Sequence, residues 1–145
     1  MQMSSDEIVN RIKNQYALKK GMGFSNKDLT SPYCDKLIRI MIYSNEIVVV
    51  GAGVYGERLF EMLEAEGIAN KVCCICDNSI ERRRFNSFPI DVLSVEEAVI
   101  NYPDALYVIT PRFYENELLQ QLVDLGVPVK QIMIFTFAYT GLIDG

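Results

Sequence analysis

The residues with the clearest chemistry are Gly51-Ala52-Gly53-Val54-Tyr55-Gly56, a G-x-G-x-x-G pattern. Taken alone the pattern is weak. Here it directly follows the β-branched run Ile47-Val48-Val49-Val50 and opens an amphipathic stretch, inside a βαβ unit of about 30 residues. Each glycine has its own task. Gly51 allows a tight turn from strand to helix. Gly53 has no side chain to keep a phosphate off the backbone. Gly56 lets the helix lie close to the sheet. The free N–H groups and the positive end of the helix then face an anionic ligand. The competing reading is a tight turn that holds nothing.

A second element supports a ligand. Asp77 ends the next apolar run, about 20 residues past Gly56, where dinucleotide folds place the acid that binds ribose hydroxyls. A carboxylate there repels a 2′-phosphate and favours NAD over NADP. Arg82-Arg83-Arg84 complicate this, because arginines just beyond a second strand can hold a phosphate; the competing reading is a solvated loop. Asn78 adjoins Asp77. Thr110 and Pro111 open the segment Thr110-Pro111-Arg112-Phe113-Tyr114, which follows the fourth strand at the crevice edge where strand order reverses; its polar groups are placed to touch a ligand, and the equal competing reading is a loop with aromatics packed beneath it. The candidate cofactor-binding set is therefore Gly51, Ala52, Gly53, Val54, Tyr55, Gly56, Asp77, Asn78, Thr110 and Pro111.

No catalytic group stands out. The chain has no histidine, which removes Ser-His-Asp and Cys-His triads and histidine metal sites. Tyr16 and Lys20 have the spacing of a short-chain dehydrogenase pair but precede the first strand, so the spacing is chance. Glu96 and Glu97 are neighbours on a helix and face different ways. Cys73-Cys74-Ile75-Cys76 spells C-x-x-C, yet Val72–Cys76 reads as a buried strand rather than a helix start. Residues three apart on a strand point to opposite faces. Cys74 and Cys76 share a face, with Cα atoms roughly 6.6 Å apart, the upper end of disulfide geometry. Only distant Cys34 remains to join a zinc site. The cysteines read as small core residues, and no metal is expected.

The elements that would position this site alternate between short apolar runs and amphipathic stretches, the signature of α/β with parallel strands. Strands are expected at Ile47–Val50, Val72–Cys76, near Pro89–Val92, at Ala105–Thr110 and at Gln131–Phe135. Helices are expected over Val54–Glu66, stopped by Gly67; after the capping box Ser94-x-x-Glu97, ending before Pro103; and from about Tyr114 to Gly126. Residues 77–88 read as polar and irregular, and the region from 78 to 92 is too short and polar for a regular crossover helix, which leaves the third strand's placement open. The predicted fold is a doubly wound, mainly parallel, Rossmann-like sheet of about five strands. A helical lead-in over residues 1–45 precedes this domain of residues 46–137, and a tail of residues 138–145 follows. In the lead-in, Ile8, Ile12 and Tyr16 suggest a helix capped by Ser5. Residues 19–30 read as a connector. Ser31-Pro32 starts a second helix, to about Ser44, with Leu37, Ile38, Met41 and Ile42 on its apolar face.

Composition bounds the function. The 145 residues suit one domain, too short for a cofactor domain plus a full catalytic domain. Half the residues are apolar and 23% are charged, enough to build a core. The net charge of −5, with a pI near 4.8, argues against nucleic-acid or anionic-membrane binding. No run of apolar residues is long enough for a transmembrane helix, and the polar start MQMSSDEIVN does not read as a signal peptide. The expected compartment is the cytoplasm.

The series IVVVGAGVYGERLFEML, CICDN, LSVEEAV and ALYVITP resembles the Rossmann-like modules of bacterial surface-polysaccharide biosynthesis proteins. Such modules stand at the front of nucleotide-sugar dehydratases and dehydrogenases, in sialic-acid-type sugar O-acyltransferases, and beside sugar-linked transferases. The resemblance spans roughly residues 47–135. It implies that Gly51, Gly53 and Gly56 form a phosphate turn, that Asp77 contacts a ribose or base, and that the ligand is NAD or a nucleotide-sugar such as a UDP-sugar. The acyltransferase modules often carry a histidine inside the turn, where Val54 and Tyr55 stand here. The hexapeptide coil and the dehydratase domain of those families have no counterpart in this sequence. The expectation is a nucleotide-binding domain without chemistry of its own, forming a homodimer or joining a sugar-modifying enzyme. The alternatives are a subunit of an NAD-dependent sugar-nucleotide enzyme completed by a partner, and an interaction domain with an unused turn.

Overall fold

The computed structural model describes residues 40–111 and 114–135. The first lead-in helix, the connector, the second lead-in helix up to residue 39, Tyr16, Lys20, Cys34, Arg112, Phe113 and the tail lie outside the described residues; the end of the second helix, residues 40–43, is helical. Among the described residues five strands run in the order β1 (Ile47–Val50), β2 (Val72–Cys76), β3 (Val92–Leu93), β4 (Leu106–Ile109) and β5 (Ile132–Ile134). In the sheet they lie as β3-β2-β1-β4-β5, and every pairing is parallel. The order reverses between β1 and β4, so a crevice opens at the carboxyl ends of these strands.

The β-branched and apolar strands are covered on both faces. On one side Ile47, Val49, Ile75, Val108 and Met133 pack against Leu59, Phe60 and Leu63 of α1 (Val54–Ala65). Met41, fully buried in the last described turn of the lead-in, joins this layer. Lys71 Nζ donates to the Ile42 carbonyl and ties that turn to the start of β2. On the other side Val48, Val50, Cys74, Cys76, Tyr107 and Ile109 pack against α3 (Val95–Asn101) and α4 (Glu115–Asp124). The doubly wound architecture follows from the alternation of these two apolar sets along each strand.

Local signals place most boundaries. Gly67 and Gly126 take positive φ (75° and 92°) just after α1 and α4 and end them as left-handed caps. The Ser94 hydroxyl accepts the Glu97 N–H at 3.1 Å and itself donates to the Glu97 carboxylate at 3.0 Å. The buried Tyr107 hydroxyl lies 2.8 Å from the Tyr102 carbonyl and 3.0 Å from that of Ala98, holding the end of α3 against the sheet.

Two expectations need correction. Residues 77–88 are not irregular throughout: a five-residue helix, α2 (Ile80–Arg84), lies among them. It has no buried face, so hydrophobic periodicity could not reveal it. Its start is fixed by Ser79, whose hydroxyl accepts the Arg82 N–H at 3.3 Å. The third strand also begins later than Pro89. Only Val92 and Leu93 pair, with Ile75 and Cys76.

The cysteine strand carries an irregularity: Ile47 pairs with Val72 but Val48 pairs with Cys74, so Cys73 is one residue too many. Cys73 is half-buried, with Sγ 3.6 Å from a Glu46 carboxylate oxygen, while Cys74 and Cys76 share the α3–α4 face. Burial pushes the Cys74 thiol up to about 12 and raises Cys76 well above its ordinary value. Both are therefore protonated in the fold, whereas the unfolded chain ionises near 9. The contribution of Cys74 to stability is present below pH 9 and is lost as pH rises toward 12. A thiol-specific aromatic disulfide at pH 8 should leave Cys74 and Cys76 unmodified in the native chain and label both in urea. Rapid native labelling of either, found by peptide mapping, would contradict a closed β2.

Candidate functional site

The turn after β1 is built backbone on backbone. The Gly51 N–H donates to the Cys76 carbonyl at 2.7 Å, and Gly51 takes φ +111°. A Cβ there would be strained and would also stand 2.7 Å from Thr110 Oγ1 and Pro111 Cγ. A Cβ on Gly56 would overlap the Gly51 carbonyl oxygen. Thr110, fully buried, donates its hydroxyl to the Val50 carbonyl at 2.8 Å and fills the corner between β1 and β4. Gly53 is the N-cap of α1, with φ −90° and ψ −161°, and no side chain caps the helix. The N–H groups that open α1 therefore point out of the helix with no partner four residues back.

Asp77 closes this arrangement from β2. Its carboxylate is nearly buried. Oδ2 accepts the Ala52 N–H and Oδ1 the Ser79 N–H, each at 2.8 Å. The three arginines of α2 divide their roles. Arg83 donates from Nη1 to the carbonyls of Asp77 and Asn78, at 3.0 and 3.2 Å, and fixes the loop. Arg84 is exposed. Arg82 turns toward the glycine turn: its Nη1 is 3.6 Å from Asp77 Oδ2, and the guanidinium lies 3.4 Å from where a Gly53 Cβ would be.

A cavity of about 530 Å³ opens beside these groups. Gly51, Asp77, Asn78 and Pro111 of the predicted set line it. The other predicted residues do not. Ala52 gives its N–H to Asp77, and Gly53 lies under Arg82. Val54 is exposed, and Tyr55 packs on the α1 core. Gly56 and Thr110 act inside the turn. Tyr114, the last residue of the segment expected to touch a ligand, also lines the cavity, and sequence reasoning missed Ser79, Glu81, Glu117, Leu118 and Gln121, which line it too. Leu118 was legible only as part of the apolar stripe of α4. Gln121 gave no periodic signal, yet it forms a reciprocal amide pair with Asn78 (2.8 and 3.1 Å) and donates to Glu96 at 3.1 Å. This pair joins the loop after β2 to α4 across the wall of the cavity. Glu115 is buried in the first turn of α4. Its Oε2 has no hydrogen-bond partner among the described residues.

The site is thus a cleft at the switch point of a parallel sheet, floored by a glycine turn and flanked by an acid at the end of β2. Among the described residues no three His, Cys, Asp or Glu side chains gather as a metal-binding group, and no helix is long and apolar enough to cross a membrane. Comparison with known proteins agrees with the geometry. The family model of the Gfo/Idh/MocA group, described as an oxidoreductase family with an NAD-binding Rossmann fold, matches residues 45–133. No curated protein sequence matches the chain. A solved structure, the crystal structure of RSP, a Rex-family repressor, shares the fold with a TM-score of 0.50 at 12% identity, covering 94% of this chain and 89% of that chain. With its glycine turn, its strand order and more than half its length matched, the chain belongs to the Gfo/Idh/MocA oxidoreductase family through its NAD-binding Rossmann fold.

Proposed function

We propose that this chain binds an NAD-type dinucleotide and performs no chemistry by itself. The observation that carries this reading is the cavity at the carboxyl ends of β1, β2 and β4, with Gly51 and Asp77 on its wall. The glycine turn offers unpaired helix N–H groups to a diphosphate, and Asp77 has acceptor capacity left for ribose hydroxyls. Pro111, Leu118 and Tyr114 supply an apolar surface for a base. A UDP-sugar, suggested by the resemblance to polysaccharide-biosynthesis modules, is the competing ligand. The same resemblance supports a cytoplasmic role beside a sugar-modifying enzyme, or as a homodimer.

The test is a thermal-shift panel of NAD⁺, NADH, NADP⁺ and a UDP-sugar. A ligand that binds only the folded chain stabilises it by about 2.7 kcal/mol at a hundredfold excess over Kd. For a domain of this size that is a rise of about 10 °C or more. NAD⁺ or NADH should give the largest rise. A flat panel at millimolar concentration would remove the nucleotide reading and leave an interaction domain with an unused turn.

The family's description as oxidoreductases favours one further reading, a redox subunit whose catalytic groups come from a partner. It predicts hydride transfer only in a mixed complex. Turnover by the purified chain alone would count against the need for that partner.

A further inference from the structure

The electrostatics of the cavity pose a problem for any nucleotide. Among the described residues its wall carries three carboxylates, Asp77, Glu81 and Glu117, against one cationic side chain, Arg82. A diphosphate brings further negative charge. Part of the backbone's capacity is also already taken, since the Ala52 N–H is held by Asp77. Among the described residues the offsetting charge falls to Arg82.

Arg82 is placed and free to supply it. Its guanidinium makes no hydrogen bond among the described residues; its Asp77 contact, at 3.6 Å, is an ion pair beyond hydrogen-bond length. Its side chain is 53% exposed. It lies across Gly53, the point where the glycine turn would admit a phosphate. Arg83, by contrast, is tied to two carbonyls.

We infer that Arg82 is the residue that binds the ligand's diphosphate, and that it covers the glycine turn until a ligand arrives. This rests on the nucleotide reading above. On binding, the guanidinium leaves Asp77 and turns its fork of donors to the phosphate oxygens, which it can take in a bidentate way. Asp77 keeps the Ala52 and Ser79 N–H groups, and its freed lone pairs face the ribose. Arg82 then decides between ligands by their phosphates. Adenosine gains nothing from it, AMP gains little, and ADP and NAD⁺ gain most.

Calorimetric titration of the full chain with adenosine, AMP, ADP, NAD⁺ and NADP⁺ tests this, with Arg82→Gln and, as a control, the exposed Arg84→Gln. Circular dichroism and melting establish that each variant folds. Arg82→Gln should weaken NAD⁺ and ADP by about tenfold or more and leave adenosine unchanged. It should also flatten the salt dependence of NAD⁺ binding. Arg82→Lys should recover part of the loss, and Arg84→Gln should match the parent chain. Unchanged NAD⁺ affinity in Arg82→Gln would overturn the inference while the nucleotide reading stands. So would tighter binding, which would make Arg82 only a plug, or a loss confined to NADP⁺, which would move it to the 2′ position. If none of the five ligands binds the parent chain, the nucleotide reading falls and this inference falls with it.

Discussion

Gly56→Val is expected to lower the melting temperature of the ligand-free chain by about 10–20 °C, the equivalent of about 3 kcal/mol in a domain of this size. The reason is the partner a new side chain would meet. At Gly56 it is the carbonyl of Gly51, with Thr110 Oγ1 3.6 Å away on the far side. Neither is the end of a flexible side chain. Gly51 is held by its own bond to Cys76, and Thr110 by its bond to Val50. Relief therefore requires α1 to move off the sheet, which opens the packing of Leu59, Phe60 and Leu63 on Val49 and Ile75. Thermal or urea unfolding measures the effect. A melting temperature within 3 °C of the parent chain would mean that α1 does not rest on the turn as described.

What the sequence made legible here is what repeats or what a single residue type dictates. Ile47–Val50 and Val72–Cys76 are apolar at every position, which in a chain with helical stretches between them means strands covered on both faces. Gly67, Gly126 and the Ser94–Glu97 cap act through local backbone chemistry, so their positions fall within two residues of the observed ends. The misses have the opposite character. α2 is held by one serine cap and one charged face, without burial, and leaves no periodic trace. β3 is two residues long, defined by its pairing with β2 rather than by its own composition. The cavity wall from α4 is a matter of tertiary approach: Gln121 matters because Asn78 reaches it, 43 residues away in the chain. Arg82 and Arg83 are adjacent and alike in sequence, and only the fold gives one to the glycine turn and the other to the loop carbonyls.

The largest functional effect is expected at Gly53, where Gly53→Thr should abolish the NAD-dependent thermal shift while leaving the ligand-free chain within about 1 kcal/mol of the parent. Three observations separate this glycine from its neighbours. Its φ of −90° and ψ of −161° lie in extended space open to any residue, so a side chain adds no backbone strain. A Cβ would stand 3.4 Å from the Arg82 guanidinium, an ordinary contact with a half-exposed side chain that can move. As N-cap of α1, Gly53 can be replaced by a threonine whose hydroxyl accepts a helix N–H, whereas valine offers no acceptor and is a poor N-cap residue. The same hydroxyl and methyl would occupy the space in which a phosphate must approach the turn. Thermal shift with and without NAD⁺ reads both effects on one sample. A variant that melts as low as Gly56→Val would make Gly53 a structural residue. A variant that folds and keeps the full shift would show that the dinucleotide does not lie on the glycine turn, and the cavity would then need another occupant.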